Sequence, residues 1–369
     1  MRLYNINRVI FSIRIIRILP VAALKALRRA DGLYLYHSLK TLYYTSRLKT
    51  TIFSLSGKIF YSATGGFMNI SRYVRQGKVD FNNLLTLEGI SATEIAEVIS
   101  VATELKRRRV VHEKLEVLRG KYVLILIKSK NIRSQINFKL AVKELGGEPL
   151  TAALSGENLE EIFSDADYLK TLADSDISAA IVCTSKDEDS SLMKTISPIP
   201  VINANENKSP VEAFADIMTI AEKHHDLKDV AVTIIGNFSS GDLSLVTGLS
   251  KLGANVCLLH DGNGAPDKET LGYLNQFSHV EETTDKLYAL KNADVIYFTG
   301  DETAVNASEN DLVKNEKDYI IMSAFPAAKN EEIRRLIKNS RSFVKAQTEN
   351  LLHAAKAVLA LTTKSAYNI

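Results

Sequence analysis

Few residues in this sequence combine the types and spacing that chemistry requires. The loop Gly236-Asn-Phe-Ser-Ser-Gly241 follows an apolar run and has glycine spacing that resembles a phosphate cradle. Such a cradle needs a Lys and then a Ser or Thr to meet phosphate and magnesium. Asp242 and Leu243 stand there instead, so nucleotide binding is not expected. Asp261-Gly-Asn-Gly264 reads as a turn. The seven His show no HExxH-type spacing, and His224-His225 reads as the solvated end of a helix. Cys183 and Cys257 each lie in an apolar run, which suits small buried hydrophobes in a reducing compartment. No metal site, disulfide framework or cofactor is expected.

The elements that would position any site are plainer. Ser91-Ala-Thr-Glu94 is a capping box that opens an amphipathic helix with Ile95, Val98, Ile99 and Leu105 on one side. Tyr-Val-Leu-Ile-Leu-Ile at 122–127 is apolar without a break, as a strand buried on both faces of a parallel sheet must be. A helix through Phe138, Leu140 and Leu145 follows and is closed by Gly146-Gly147. Further short apolar runs at 179–183, 199–203, 230–235, 255–259, 294–298 and 319–322 alternate with helical stretches. This alternation predicts an α/β protein of two doubly wound parallel-sheet domains. The expected limits are 80–224 for the first domain, completed by a C-terminal helix at 346–365, and 225–345 for the second.

The charge divides the chain differently. Residues 1–79 hold 14 Lys or Arg and one acid, Asp31, whereas the rest holds 32 basic and 42 acidic residues. The first thirty residues set Arg among Ile, Leu and Val with no carboxylate, the pattern of a mitochondrial transit helix. Arg14 and Arg17 interrupt the stretch at its centre, which disfavours a membrane span because each charge costs about 2.5–3.5 kcal/mol at mid-bilayer. Residues 1–79 are therefore expected to target the mitochondrial matrix, or the matrix side of its inner membrane, and to dock on an acidic protein surface. Anionic lipid and RNA are weaker alternatives for so basic an arm.

The order of motifs from Leu84 to Leu361 resembles the aspartate/ornithine carbamoyltransferase family, and ornithine carbamoyltransferase most. The resemblance is carried by Leu84–Ile95, Leu118-Arg-Gly-Lys121, Gly156-Glu157, Pro200-Val-Ile-Asn-Ala204, Ala213–Ile220 and Leu352–Leu361. It implies the family's two-domain fold, trimers formed through the first domain, and a site where guanidiniums and hydroxyls hold carbamoyl phosphate while an amine attacks its carbonyl carbon. The family's Ser-Thr-Arg-Thr-Arg corresponds here to Asn131-Ile132-Arg133-Ser134-Gln135. Arg133 and Ser134 are thus the residual phosphate-site candidates, while Ile132 lacks a hydroxyl and Gln135 a charge.

Other positions depart further from that pattern. Cys183 stands for an Arg at a strand end, and Ser209-Pro-Val-Glu212 for His-Pro-x-Gln. Thr299 falls near the Asp that meets the amino acid, Ser323-Ala324-Phe-Pro326 replaces His-Cys-Leu-Pro, and Leu351 replaces the final Arg. Three of these residues also have a purely structural explanation: Ser209 as an N-cap, Glu212 as a partner for a helix dipole, Arg133 in a surface ion pair. Removing a single oxyanion donor typically costs about 2.7–4 kcal/mol of barrier. Several such losses on a retained scaffold lead to the expectation of a non-catalytic protein, an accessory subunit of a mitochondrial assembly such as a respiratory-chain complex. A divergent transcarbamylase acting on an unusual amine, and a non-catalytic metabolite-binding regulator, are the alternatives.

Overall fold

The computed structural model describes residues 50–55, 58–63, 79–127, 132–153, 166–183, 199–205, 209–239, 242–262, 264–299, 305, 308–312, 314–315, 317–324 and 331–363. The chain forms two compact units, Met1–Phe67 and Met68–Ile369. In the first, β1 (Thr50–Leu55) and β2 (Lys58–Ala63) pair antiparallel with Phe53 opposite Phe60. The leader at 1–30, Asn131, Gly156-Glu157 and Pro326 lie outside the described residues.

The second unit carries two parallel sheets. In the first sheet β3 (Tyr122–Ile127) pairs with both β4 (Glu148–Ala153) and β5 (Ile177–Cys183), and β5 pairs with β6 (Val201–Asn203). Its helices are α1 (Ala92–Val110), α2 (Ile132–Glu144), α3 (Ala166–Asp174) and α4 (Pro210–His224). In the second sheet β7 (Ala231–Ile235) is central. It is flanked on one side by β8 (Asn255–Leu259) and β9 (Val280–Thr283), and on the other by β10 (Val295–Phe298) and β11 (Ile320–Ser323). Helices α5 (Leu243–Lys251), α6 (Lys268–Leu274), α7 (Lys286–Lys291), α8 (Glu309–Leu312) and α9 (Glu331–Leu336) belong to this half, and α10 (Val344–Thr362) ends the described chain.

Local chemistry explains most boundaries. The capping box forms as expected: Ser91 N donates to Glu94 Oε2 at 2.9 Å and Glu94 N to Ser91 Oγ at 3.3 Å. Gly146, with φ +81°, supplies the left-handed turn after α2 that a side chain would disfavour. The apolar runs become strands, and the expected two-sheet α/β architecture is the observed one. The strands β4 and β9 lack apolar runs because both are sheet edges. Their sequences, Glu-Pro-Leu-Thr-Ala-Ala and Val-Glu-Glu-Thr, have less area to bury, and Pro149 is tolerated at an edge.

Helix α10 returns across the first half, packing on α4, α1 and α2. It is apolar almost all round, with Leu351, Ala354, Ala355, Val358 and Leu359 buried, as a helix enclosed by others should be. One line of polar residues, Gln347, Asn350, His353 and Lys356, repeats every third position and is buried as well. Asn350 donates to Thr219 Oγ1 at 3.0 Å and accepts from Lys106 Nζ at 2.8 Å, and Lys356 pairs with Glu144 at 2.8 Å. Cys183 is buried as expected, while Cys257 is only partly so, and burial pushes its thiol up to about 12. Among the described residues no helix is long and apolar enough to cross a membrane.

Candidate functional site

In both sheets the strand order reverses beside the central strand, between β3 and β5 in one and between β7 and β10 in the other. Open parallel sheets bind ligands beyond the carboxyl ends of their strands at such points. Helix α2 starts just beyond β3, and it brings Arg133 and Ser134 to that end. Helix α4 starts from an N-cap at Ser209, with Pro210 preset for the first turn, and presents Glu212 to them. Arg133 Nη2 donates to Glu212 Oε1 at 3.0 Å, and Ser134 Oγ donates to the same oxygen at 3.4 Å.

One turn along α4, Asp216 occupies the same face. Its Oδ2 accepts from Tyr297 Oη of β10 at 2.8 Å and its Oδ1 from Gln347 Nε2 of α10 at 2.8 Å. Gln347 also clamps the end of β11: Ser323 N donates to Gln347 Oε1 at 3.1 Å, and Gln347 Nε2 reaches Ser323 O at 3.2 Å. Arg133, Glu212, Asp216, Tyr297, Ser323, Ala324, Gln347 and Leu351 all line one cavity of ≈ 20 Å³. A cavity of that size holds about one water molecule. A larger depression of ≈ 450 Å³ along Thr233, Cys257, Glu281 and Asn292 begins at the amino-terminal ends of β7 and β8, away from these groups.

The electrostatics follow from two carboxyls placed beside one guanidinium. Burial pushes the Glu212 carboxyl up to about 7; Arg133 and the hydroxyl of Ser134 pull against it, and the charge of Asp216 adds to the rise. Burial also raises Asp216, to about 6, against its hydrogen bonds from Gln347 and Tyr297 and the charge of Arg133. The Tyr297 hydroxyl is raised well above its usual range by burial and by Asp216, so it stays a donor. Glu212 and Asp216 are therefore a coupled pair held above the usual carboxylate range, with Glu212 the higher of the two.

Five of the sequence candidates converge here: Arg133, Ser134, Glu212, Ala324 and Leu351. Ser209 contributes as a cap, its Oγ accepting from Glu212 N at 3.4 Å. Ile132 is exposed, Gln135 is half-buried further along α2, and neither lines the cavity. Cys183 and Thr299 are buried at the ends of β5 and β10 and do not line it either. Asp216, Tyr297 and Gln347 are additions that sequence reasoning did not single out. Asp216 had a signal: it is the one acid between Val211 and Ile220 other than Glu212, and four residues from it, hence on the same helical face.

Residues 82–222 match the family model for the aspartate/ornithine carbamoyltransferase carbamoyl-P binding domain. The anabolic ornithine carbamoyltransferase of Pyrococcus furiosus is 31% identical over 302 residues, covering 76% of this chain and 95% of the relative. The chain belongs to the aspartate/ornithine carbamoyltransferase family. The Bacillus subtilis ornithine carbamoyltransferase is 30% identical over 311 residues, 78% of this chain and 95% of its own. The solved structure of the Pyrococcus furiosus ornithine carbamoyltransferase superposes with a TM-score of 0.68 at 26% identity, covering 76% of this chain and 97% of that one.

Membership in the carbamoyltransferase family corrects the expectation of a non-catalytic protein. The relatives that match over nearly their full length are named as transferases, which are enzymes, and no observation shows that activity has been lost. The expectation rested on charged or polarising groups lost from the family pattern and on the carboxylate that Glu212 adds beside an anionic substrate. At this cavity Arg133 and Ser134 are hydrogen-bonded to Glu212, and beside them Tyr297 and Gln347 are hydrogen-bonded to Asp216. The chemistry of the position has been exchanged, and a count of missing residues does not measure what replaced them.

Proposed function

We propose that this protein is a divergent carbamoyltransferase that holds the phosphate of carbamoyl phosphate at Arg133 and Ser134 and carbamoylates an amine other than ornithine. The observation that carries the reading is the convergence of Arg133 Nη2 and Ser134 Oγ, both in the first turn of α2, on a single oxygen, Glu212 Oε1 of α4. A guanidinium and a hydroxyl aimed at one oxygen form a charge-assisted oxyanion site, and here a carboxylate oxygen occupies the point.

In the reaction the amine nitrogen uses its lone pair to form a C–N bond to the carbonyl carbon. The C–O bond to phosphate breaks with its electron pair leaving on inorganic phosphate, and the proton shed by nitrogen goes to the phosphate or to a carboxylate. Arg133 and Ser134 would stabilise the charge that grows on the departing phosphate. Asp216, fixed by Tyr297 and Gln347, supplies negative charge on the side of the cavity that suits a cationic amine. Thr299, in place of the family's substrate-binding Asp, supports an acceptor other than ornithine.

Incubating the purified chain with carbamoyl phosphate and a panel of primary amines, then detecting ureido products by mass spectrometry, tests the proposal. Product above the non-enzymatic background, lost in Arg133→Ala, is expected; background levels with every amine would overturn it. We also propose mitochondrial import, supported by the basic and acid-free composition of residues 1–30. Localisation of a full-length fluorescent fusion outside mitochondria would contradict that.

A further inference from the structure

We infer that Glu212 is an internal occupant of the anion position, so that an oxyanion reaches Arg133 and Ser134 only by displacing its carboxylate and with uptake of a proton at Glu212. This rests on the reading of Arg133 and Ser134 as an anion site and adds how that site is controlled. The geometry is that of a bound ligand. A single oxygen, Glu212 Oε1, takes the guanidinium at 3.0 Å and the hydroxyl at 3.4 Å, as a phosphate oxygen would. The adjoining cavity of ≈ 20 Å³ cannot accept a phosphate beside the carboxylate. The anion and the carboxylate therefore compete for one place.

Charge makes the competition depend on protons. Among the described residues, Arg133 of α2, Asp216 of α4 itself and the Tyr297 hydroxyl of β10 are the charged and titratable groups around Glu212. Helix α10 presents Gln347 and Leu351, both uncharged, and Asp242 at the start of α5 acts on Tyr297. Two of these three ionisable neighbours are thus acids, and the third, Arg133, is the cation. With an incoming anion bound to Arg133, an ionised Glu212 would face both that anion and Asp216 with its counter-charge already engaged. Protonation removes the conflict and leaves a neutral carboxyl that can donate to the anion. The carboxyl already titrates near neutrality when no anion is present, at about 7.

Calorimetric titration of the full chain with sulfate tests this, because sulfate keeps its charge from about pH 5 to 9 and introduces no titration of its own. Runs at about pH 6 and pH 8, each in two buffers of different ionisation enthalpy, count the protons exchanged. From a carboxyl titrating near 7, binding is expected to be about tenfold weaker at pH 8 than at pH 6, with about one proton taken up at pH 8 and few at pH 6. Glu212→Gln is expected to bind about tenfold more tightly than the natural protein at pH 8 and to lose most of the pH dependence. The proton count on the unmodified protein stands by itself if that variant does not fold.

Sulfate affinity that is flat with pH, or binding without proton uptake at pH 8, would overturn the inference. Ureido product together with flat binding overturns this inference and leaves the proposed activity standing. Proton-linked sulfate binding with no ureido product does the reverse. Absence of sulfate binding to both the natural protein and Glu212→Gln overturns both.

Discussion

Glu212 and Asp216 lie one helical turn apart beside the Arg133 guanidinium, and this arrangement has a cost that depends on pH. Burial raises Glu212 from its ordinary 4.5 to about 7, so its stabilising contribution is complete below the unfolded value and is lost as pH rises through 7. A tenfold change in proton affinity corresponds to about 1.4 kcal/mol. Relative to the natural protein, Glu212→Gln should therefore gain on the order of 2–3 kcal/mol between pH 5 and pH 8. Urea unfolding at the two pH values measures it, and parallel losses in both proteins would contradict the assignment. Arg133, Ser134 and Glu212 were legible in the sequence because each falls at a position of a motif in the family that the chain resembles. Tyr297 was not, and Asp216 was marked only by its spacing from Glu212, because each sits within a stretch, Ala-Phe-Ala-Asp-Ile or Val-Ile-Tyr-Phe, whose pattern reads as core. They are buried, and it is their mutual hydrogen bond that makes burial tolerable.

Among the elements, α10 ties the site to the scaffold. Gln347 at its first turn reaches Asp216 and the end of β11, and Lys356 near its other end neutralises Glu144 of α2. Between them lies His353, which is buried and has neither ring nitrogen hydrogen-bonded among the described residues. Burial first, then the charges of Lys356, Lys106 and Arg109, pull it down to about 3. Its sign is opposite to that of Glu212: the contribution is complete above the unfolded value of 6.5 and is lost as pH falls through 3. On going from pH 7 to pH 4, His353→Leu should lose on the order of 3 kcal/mol less stability than the natural protein. Thermal unfolding at both pH values checks this, and an equal loss in the two proteins would refute the buried neutral state. The helix itself was legible from its apolar pattern, and so were the central strands. The edges β4 and β9 were not, because a strand with one partner has no need of a continuous apolar run.

For the whole molecule, fold and family were legible because the apolar runs and turns that build two parallel sheets are spread over most of the chain. Whether the protein catalyses was not, because the loss of a family residue says nothing about the group that takes over its place. We propose that residues 1–79, strongly basic against an acidic remainder, act as a docking element. Native size fractionation of mitochondria is expected to find the chain in a complex larger than its own oligomer, and migration at the size of the free protein would contradict docking.

The central claim is that Arg133 and Ser134 form an anion site for carbamoyl phosphate. Calorimetry with carbamoyl phosphate at pH 6, on the protonated side of the raised Glu212 carboxyl, tests it most directly. A saturable heat at millimolar ligand that disappears in Arg133→Ala is the predicted result. No heat at that concentration, or heat unchanged in Arg133→Ala, would contradict it.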